Sequence, residues 1–566
     1  MTHSREPGGI AKPPPNLLLI ITDQQRQTMH WPEDPEWLES LLPAEAELSR
    51  TGVTFTEACT ASCMCSPSRA SLFTGRWPAE HGVNLTLTQG GAVPDRKYAG
   101  RTIRDAIRSV RAGEISARTA LRTVVKGATR RRDGGDEAVL DPATPNLAQV
   151  LARAGYRTVL KGKWHLTQPV EGEWGPADTV HLEETYGFEG WEPPDAGENL
   201  DPTHFGGGSG SGRSNQGFDE DFARQAEKFL ADPPPEPWAL IVSLVNPHDV
   251  LGFPASYREG GYSDSEWADL GQVGLPPSVD ENLKDKPLAH AIMKMGQSSF
   301  IGGLNREEQV AYCRFYAHLH RLADSKVARV LEALGDPDDP DSLRSKTVVV
   351  KTSDHGDLGM SHGGMRQKMF NAYDETINVP LIVSNPVLFP EAVRSPAPVS
   401  LCDILPTLAT IAGVDVARDG MKGRDLTPVL AHAYGPEPAR LDSCPVDLTP
   451  VAAHGEPKAS VQEEVFFSFD DHQSGSAFKD VIAPPNRIRA VRSADAMYAV
   501  YLDETGDEPP QFELYDMTSD PDQVKNLVDR DTGLIKRAGD QALLDSMRES
   551  LAESCRHTGT SLPAGF

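Results

Sequence analysis

The sequence predicts an α/β fold: a large mixed, mostly parallel sheet sandwiched by helices, followed by a smaller C-terminal antiparallel sheet with a helix. Three observations carry that expectation. Apolar runs at 16–21, 156–160, 238–245 and 347–350 are continuous rather than alternating, the pattern of strands buried on both faces. Each leads into residues able to do chemistry, as in open α/β sheets, whose sites lie outside the carboxyl ends of the strands. From about residue 455 the pattern changes to short alternating runs at 465–469, 488–491 and 497–502, which suit a half-buried antiparallel sheet.

Size and charge narrow the function classes. At 566 residues, 39% hydrophobic and 24% charged, the chain can bury a large core and divide into domains, here placed at 1–445 and 446–566. A formal charge of −27 argues against nucleic acid or an anionic membrane as the main partner. Seven scattered cysteines do not make a disulfide framework, and Cys59, Cys63 and Cys65 lack a second pair at zinc spacing. The apolar run 17–21 is too short for a signal peptide or a membrane span, so the expected location is cytoplasmic. Two segments stand apart. Residues 96–132 hold twelve Lys or Arg against Asp105 and Glu114, with Arg101, Arg104, Arg108 and Arg111 at helical spacing. They read as a basic helical hairpin turning near Gly113, either docked on an acidic face or solvated over the core. Residues 201–217 are Gly- and Ser-rich and read as a flexible loop.

In chain order, the first strand ends on Asp23-Gln24, where a carboxylate can bind a metal or cap the next helix. Ser66 is a plausible N-cap for a short helix, Pro67 suits its first turn, and Gly75 stops it. Cys65 then meets the positive end of the helix dipole and Arg69, which predicts a depressed thiol pKa; the alternative is a packed thiol before a core helix. Lys163 and His165, two apart after the second strand, suit an anion site with a proton to move. His248 follows the strand at 238–245 and Asn246-Pro247. A long amphipathic helix is expected over 307–334. Asp354 and His355 then follow the strand beginning at 347, a pair that can ligate a divalent ion. Lys368 comes after a Gly-rich turn, and a final helix is expected over about 533–555.

The motif Cys65-Ser66-Pro67-Ser68-Arg69, with Thr74-Gly75, resembles the signature of the formylglycine-dependent sulfatases of the alkaline phosphatase superfamily. Gly155-Tyr156-Arg157-Thr158 with Gly162-Lys163-Trp164-His165-Leu166 resembles that family's second motif, and Asp354-His355-Gly356 its late metal motif. Asp23-Gln24, in place of two acids, resembles the branch that holds choline sulfatases and phosphonate monoester hydrolases. The resemblance implies an alkaline-phosphatase-like fold and conversion of Cys65 to 3-oxoalanine (formylglycine) by a separate formylglycine-generating enzyme. It implies one divalent metal on Asp23, Gln24, modified Cys65, Asp354 and His355, with Ca2+ first and Mn2+ or Mg2+ open. Arg69, Lys163 and His165 would then attend the aldehyde hydrate, and His248 and Lys368 the sulfate. The implied activity is hydrolysis of small aryl or alkyl sulfate esters. The alternatives are a phosphonate monoester or phosphodiester hydrolase using the same site, and a non-catalytic scaffold. Homo-oligomerisation is left open.

Overall fold

The computed structural model describes residues 12–88, 110–111, 113–116, 137–197, 201–207, 217–298, 302–434, 441, 444–452, 456–472 and 482–563. The expected basic hairpin at 96–132 lies outside these residues except at 110–111 and 113–116, as does the centre of the Gly/Ser loop at 208–216.

Strand β1 (Asn16–Asp23) lies in the middle of a seven-stranded sheet. Its two neighbours, β5 (Trp238–Pro247) and β6 (Thr347–Ser353), run parallel to it, and β4 (Arg157–Gly162) runs parallel beyond β5. On the far side β7 (Leu381–Ser384) turns antiparallel to β6. There β2 (Gly52–Phe55) pairs antiparallel with β7, and β8 (Val393–Ser395) pairs parallel with β2. A two-stranded ladder joins β3 (Ala58–Cys59) to β9 (Val399–Ser400).

Side chains alternate across a strand, so β1 divides its apolar residues between two cores. Leu18 and Ile20, with Leu240, Val242 and Val349, pack under helices α2 (Phe218–Ala231) and α3 (Arg306–Leu334). Leu17, Leu19 and Ile21, with Ile241, Val348 and Val350, face the opposite layer, which includes α1 (Cys65–Thr74) through Ala70, Leu72 and Phe73. Helix α3 starts where its sequence says it should. The Asn305 side chain accepts from the N–H groups of Glu307 and Glu308, and Glu308 accepts from the Asn305 N–H.

The C-terminal sheet is antiparallel throughout, in the order β10 (Glu464–Phe469), β11 (Arg487–Ser493), β12 (Ala496–Leu502), β13 (Gln511–Asp516). One face, with Val491, Tyr498, Val500 and Leu514, is covered by α4 (Gln541–Thr558). The other, with Phe467, Ile488, Ala490 and Tyr501, joins the cluster holding Met64, Met369 and Phe370. The last helix therefore begins later than the expected 533. Gly533 takes a left-handed φ of 66°, and its N–H donates to the Asp529 carbonyl in a turn that precedes the helix. Among the described residues no helix is long and apolar enough to cross a membrane.

Gly162, the last residue of β4, has φ 105°, and a Cβ there would lie 1.9 Å from the Ser243 carbonyl oxygen on β5. Gly162→Ala is expected to cost about 2 kcal/mol or more of stability, because both strain and overlap must be relieved. Denaturant titration measures it; a variant as stable as the parent would show that the β4–β5 crossover tolerates a side chain.

Candidate active site

The carboxyl ends of four adjacent strands, in the order β4-β5-β1-β6, converge on one place. Lys163 and His165 follow β4, His248 follows β5, Asp23 ends β1, and Asp354 and His355 follow β6. Helix α1 adds Cys65 and Arg69, and the loop before β7 adds Lys368. All these side chains are buried. The structure thus brings together every site residue singled out from the sequence, Gln24 included.

Cys65 is the first residue of α1, and Met64, in extended conformation, is its N-cap. The cap therefore falls two residues before the Ser66 expected from the sequence. Pro67 still lies in the first turn, where its missing N–H costs nothing, and the Ser68 N–H donates to the Met64 carbonyl at 2.9 Å. Ser66 instead holds the neighbouring loop, its Oγ accepting the Leu87 N–H at 3.1 Å. Gly75 ends the helix as expected, in left-handed conformation with φ 64°.

The Cys65 Sγ lies 3.1 Å from His355 Nε2 and 3.8 Å from Asp23 Oδ1. His355 Nε2 is also 3.6 Å from Asp354 Oδ1. Its Nδ1–H donates to the Gly356 carbonyl at 3.1 Å, which leaves Nε2 bare toward the cluster. One atom each of Asp23, Cys65, Asp354 and His355 fits within 4.8 Å of the others. Two buried carboxylates, a bare imidazole nitrogen and a sulfur position form a donor set suited to a divalent cation.

Arg69 binds this centre together. Its Nε donates to Asp354 Oδ2 at 2.9 Å and a terminal nitrogen to Asp23 Oδ2 at 3.1 Å. Its other terminal nitrogen donates to the Lys163 carbonyl and to Ser243 Oγ. Lys163 Nζ adds a 2.6 Å ion pair with Asp23 Oδ2. Burial opposes the charge on Asp23, but Lys163 and Arg69 outweigh it and hold that carboxyl well below its ordinary pKa. Burial and the Asp23 charge push Asp354 the other way, upward, against Arg69 and Lys163. The thiol also moves contrary to expectation. Burial and the neighbouring Asp23 push Cys65 up to about 11, and these outweigh the lysines nearby. Burial and Asp23 thus both work against a thiolate at an unmodified Cys65.

His165 has φ 61°, held by Asp195, whose two oxygens accept the Trp164 N–H at 2.9 Å and the His165 N–H at 2.6 Å. Its Nε2–H donates to the Leu87 carbonyl at 2.7 Å, and its buried Nδ1 has no hydrogen-bond partner among the described residues. Burial and Lys163 keep the ring well below its ordinary pKa, so it is neutral, with Nδ1 able to accept a proton. His248 is likewise held down by burial and Lys163, and its Nδ1 has no partner among the described residues. Lys368 Nζ donates to Gln24 Oε1 at 2.5 Å, and Gln24 Nε2 donates to Asp357 Oδ2 at 2.7 Å.

Sequence reasoning passed over the supporting residues Asp195, Asp357, Ser68 and Asp471. Ser68 Oγ donates to the Asp354 carbonyl at 2.5 Å. Asp471, just past β10, accepts the Thr86 N–H at 2.9 Å and so pins the segment carrying Leu87. Asp357, two residues after His355, and Ser68, inside the Cys65 motif, left a trace in the sequence; Asp195 and Asp471 look like ordinary loop residues.

A mostly parallel sheet with a buried carboxylate, histidine and cysteine centre at its carboxyl edge is the arrangement of an α/β protein with its site outside the strand ends. A family model described as Sulfatase matches residues 15–414, more than half of the chain. The chain belongs to the sulfatase family, enzymes that hydrolyse sulfuric esters. It is 25% identical over 432 residues to a choline-sulfatase of Rhizobium meliloti, covering 71% of this chain and 68% of that one. A solved putative sulfatase from Bacteroides thetaiotaomicron superposes with a TM-score of 0.62 at 21% identity, covering 96% of this chain and 93% of its own. The phosphonate monoester hydrolase of Agrobacterium radiobacter superposes at 0.59 and 20% identity, covering 96% of both. These superpositions bear out the fold expected from the sequence, a large mixed, mostly parallel sheet followed by a smaller antiparallel one.

His81 braces α1 from behind. Its Nδ1 accepts the Val83 N–H at 3.1 Å, its Nε2 faces Ser71 Oγ at 3.0 Å, and burial lowers its pKa to about 3. The unfolded chain takes up this proton near pH 6.5, so between there and about 3 the unfolded state binds more protons than the folded one. The stability from neutral His81 is present above pH 6.5 and falls by up to about 1.4 kcal/mol per unit as the pH drops below it. His81→Gln should show a shallower acid slope in urea titrations; an unchanged slope would contradict the assignment.

Proposed function

We propose that this enzyme hydrolyses sulfate monoesters of small aryl or alkyl alcohols, with a nucleophile made from Cys65 by oxidation to 3-oxoalanine. The observation that carries the reading is the Cys65 side chain set directly against Asp23 and His355. When hydrated, the aldehyde supplies two hydroxyls on one carbon, one to attack sulfur and one whose loss of a proton expels sulfate. Asp23, Asp354 and His355 would hold a divalent cation, Ca2+ first with Mn2+ and Mg2+ open, which lowers oxygen pKa and offsets charge, while Gln24, also expected among the ligands, turns its Oε1 to Lys368.

The chain's own residues divide the remaining work. Arg69 fixes both acidic ligands and so sets the spacing of the centre. Lys163 faces Asp23 and is placed to stabilise an oxyanion at position 65. His165 accepts a proton at Nδ1, the nitrogen left free by the Leu87 contact. Lys368 and His248 clamp the sulfate, and one of them returns a proton to the leaving oxygen. Removal of a donor of this kind typically costs about 10²–10³ in rate.

A second reading, hydrolysis of phosphonate monoesters or phosphodiesters, is favoured by Gln24 in the place of a second acid, since those substrates also present a single negative charge. Comparative rates on 4-nitrophenyl sulfate and a phenyl phosphonate ester rank the two.

Produced beside a formylglycine-generating enzyme, the Cys65 peptide should carry the mass of an aldehyde. Cys65→Ser should lose turnover, because a serine has no second hydroxyl. A thiol mass in an active preparation, or full activity in the serine variant, would refute the proposed nucleophile. Chelation of divalent ions should also abolish turnover of 4-nitrophenyl sulfate, with recovery on adding Ca2+, Mn2+ or Mg2+; activity indifferent to chelator would remove the metal from the proposal.

A further inference from the structure

We propose that Asp357 is a positioning residue for the sulfate clamp, holding Lys368 in place through both the Gln24 carboxamide and the backbone of Gln367. The inference rests on the reading above for the identity of the bound anion.

Asp357 is fully buried, and each of its oxygens accepts two hydrogen bonds. Oδ1 accepts the Tyr312 hydroxyl at 2.9 Å and the Gly359 N–H at 2.7 Å. Oδ2 accepts Gln24 Nε2 at 2.7 Å and the Gln367 N–H at 3.0 Å. Two of these four contacts lead to Lys368. An ionised carboxylate only accepts, so the Gln24 carboxamide can turn only its NH2 toward Asp357. Its oxygen is then forced to the other side, where Lys368 Nζ donates to it at 2.5 Å. The second contact acts through the chain: Gln367, the residue before Lys368, has a left-handed φ of 72°, and its N–H is fixed on the same carboxylate oxygen. Asp357 thus fixes the direction of the Gln24 amide dipole and the backbone from which the Lys368 side chain departs.

Asp357→Asn keeps shape and volume but brings an NH2 group to a place where the neighbours are donors. With the NH2 on the Oδ2 side, the Gln24 amide turns over to accept from it and its own NH2 then opposes the Lys368 ammonium; on the Oδ1 side the Tyr312 hydroxyl would accept instead, an orientation that adding Tyr312→Phe to Asp357→Asn removes. The ammonium loses its acceptor without any change in the residues at Cys65.

The test is a double-mutant cycle read by calorimetric binding of inorganic sulfate to the full-length protein. Lys368→Ala and Asp357→Asn are each expected to weaken sulfate binding by roughly tenfold to a hundredfold, the range for losing a hydrogen bond to a charged group. The double variant should be no weaker than Lys368→Ala alone, because both changes break one device. Tyr312→Phe, which removes a donor from the other oxygen, should leave sulfate affinity within about twofold. If Asp357→Asn does not fold, Gln24→Leu interrupts the same path and carries the same non-additive expectation. Unchanged sulfate affinity in Asp357→Asn even with Tyr312→Phe added, additive losses in the double variant, or no sulfate binding by the parent protein would overturn the inference. Parent protein that binds sulfate with this pattern yet hydrolyses neither 4-nitrophenyl sulfate nor a small alkyl sulfate would instead defeat the proposed substrate class and leave the positioning role standing.

Discussion

The site depends on one guanidinium. Arg69 lies fully buried between Asp23 and Asp354, on two neighbouring strands, and touches the carbonyl after β4 and a hydroxyl on β5 as well. One side chain from α1 therefore ties the nucleophile helix to all four strands that build the site. A lysine could not do this, because a point charge lacks the planar fork that meets separate acceptors at once. Removal of one partner from such a buried network costs about 3–5 kcal/mol, since the charge left behind has no water to turn to. The geometry around Cys65 is thus a consequence of charge compensation as much as of packing.

Around that centre, the remaining polar groups act mainly by fixing orientation. Leu87 settles which nitrogen of His165 carries a proton, and Gly356 does the same for His355. Asp195 holds an otherwise strained His165 backbone, and Asp357 sets the direction of an amide. None of these contacts involves the reacting atoms. Each removes an alternative arrangement, and that is how a site built largely on loops after strand ends can hold its groups in register. The C-terminal sheet takes part, since Asp471 pins the segment that bears Leu87, and Phe467 and Tyr501 pack in the cluster that holds Met64.

The sheet was legible in the sequence because strands buried on both faces have no polar face to alternate with, and because Asp23, His248 and Asp354 punctuate their ends. The nucleophile, its arginine and the Lys163/His165 pair were legible because their spacing is dictated by chemistry. The far side of the large sheet, where β7 runs against its neighbours, was not: β2, β7 and β8 are three or four residues long, below the length at which a pattern can speak. The start of α1 was misplaced because Ser66 has the composition of a cap, whereas its hydroxyl serves Leu87. The Cys65 thiol was misjudged because a helix dipole and an arginine are local features, while burial and Asp23 come from the tertiary fold. Asp195 and Asp471 were passed over for a similar reason: an acid in a loop carries no mark of which distant amides it will accept.

The ladder that pairs Ala58 with Val399 has a temporal meaning. Strand β3 sits just upstream of Cys65, and its partner strand β9 leaves the ribosome only after most of the catalytic portion has been synthesised. Asp354 and His355, the groups that enclose the sulfur, also arrive late. Until they do, the Cys65 segment lacks the partners that bury it in the folded chain. Once β6 and β9 dock, it is sealed at 2% exposure. Chemistry from outside can therefore reach this side chain only while these strands are undocked.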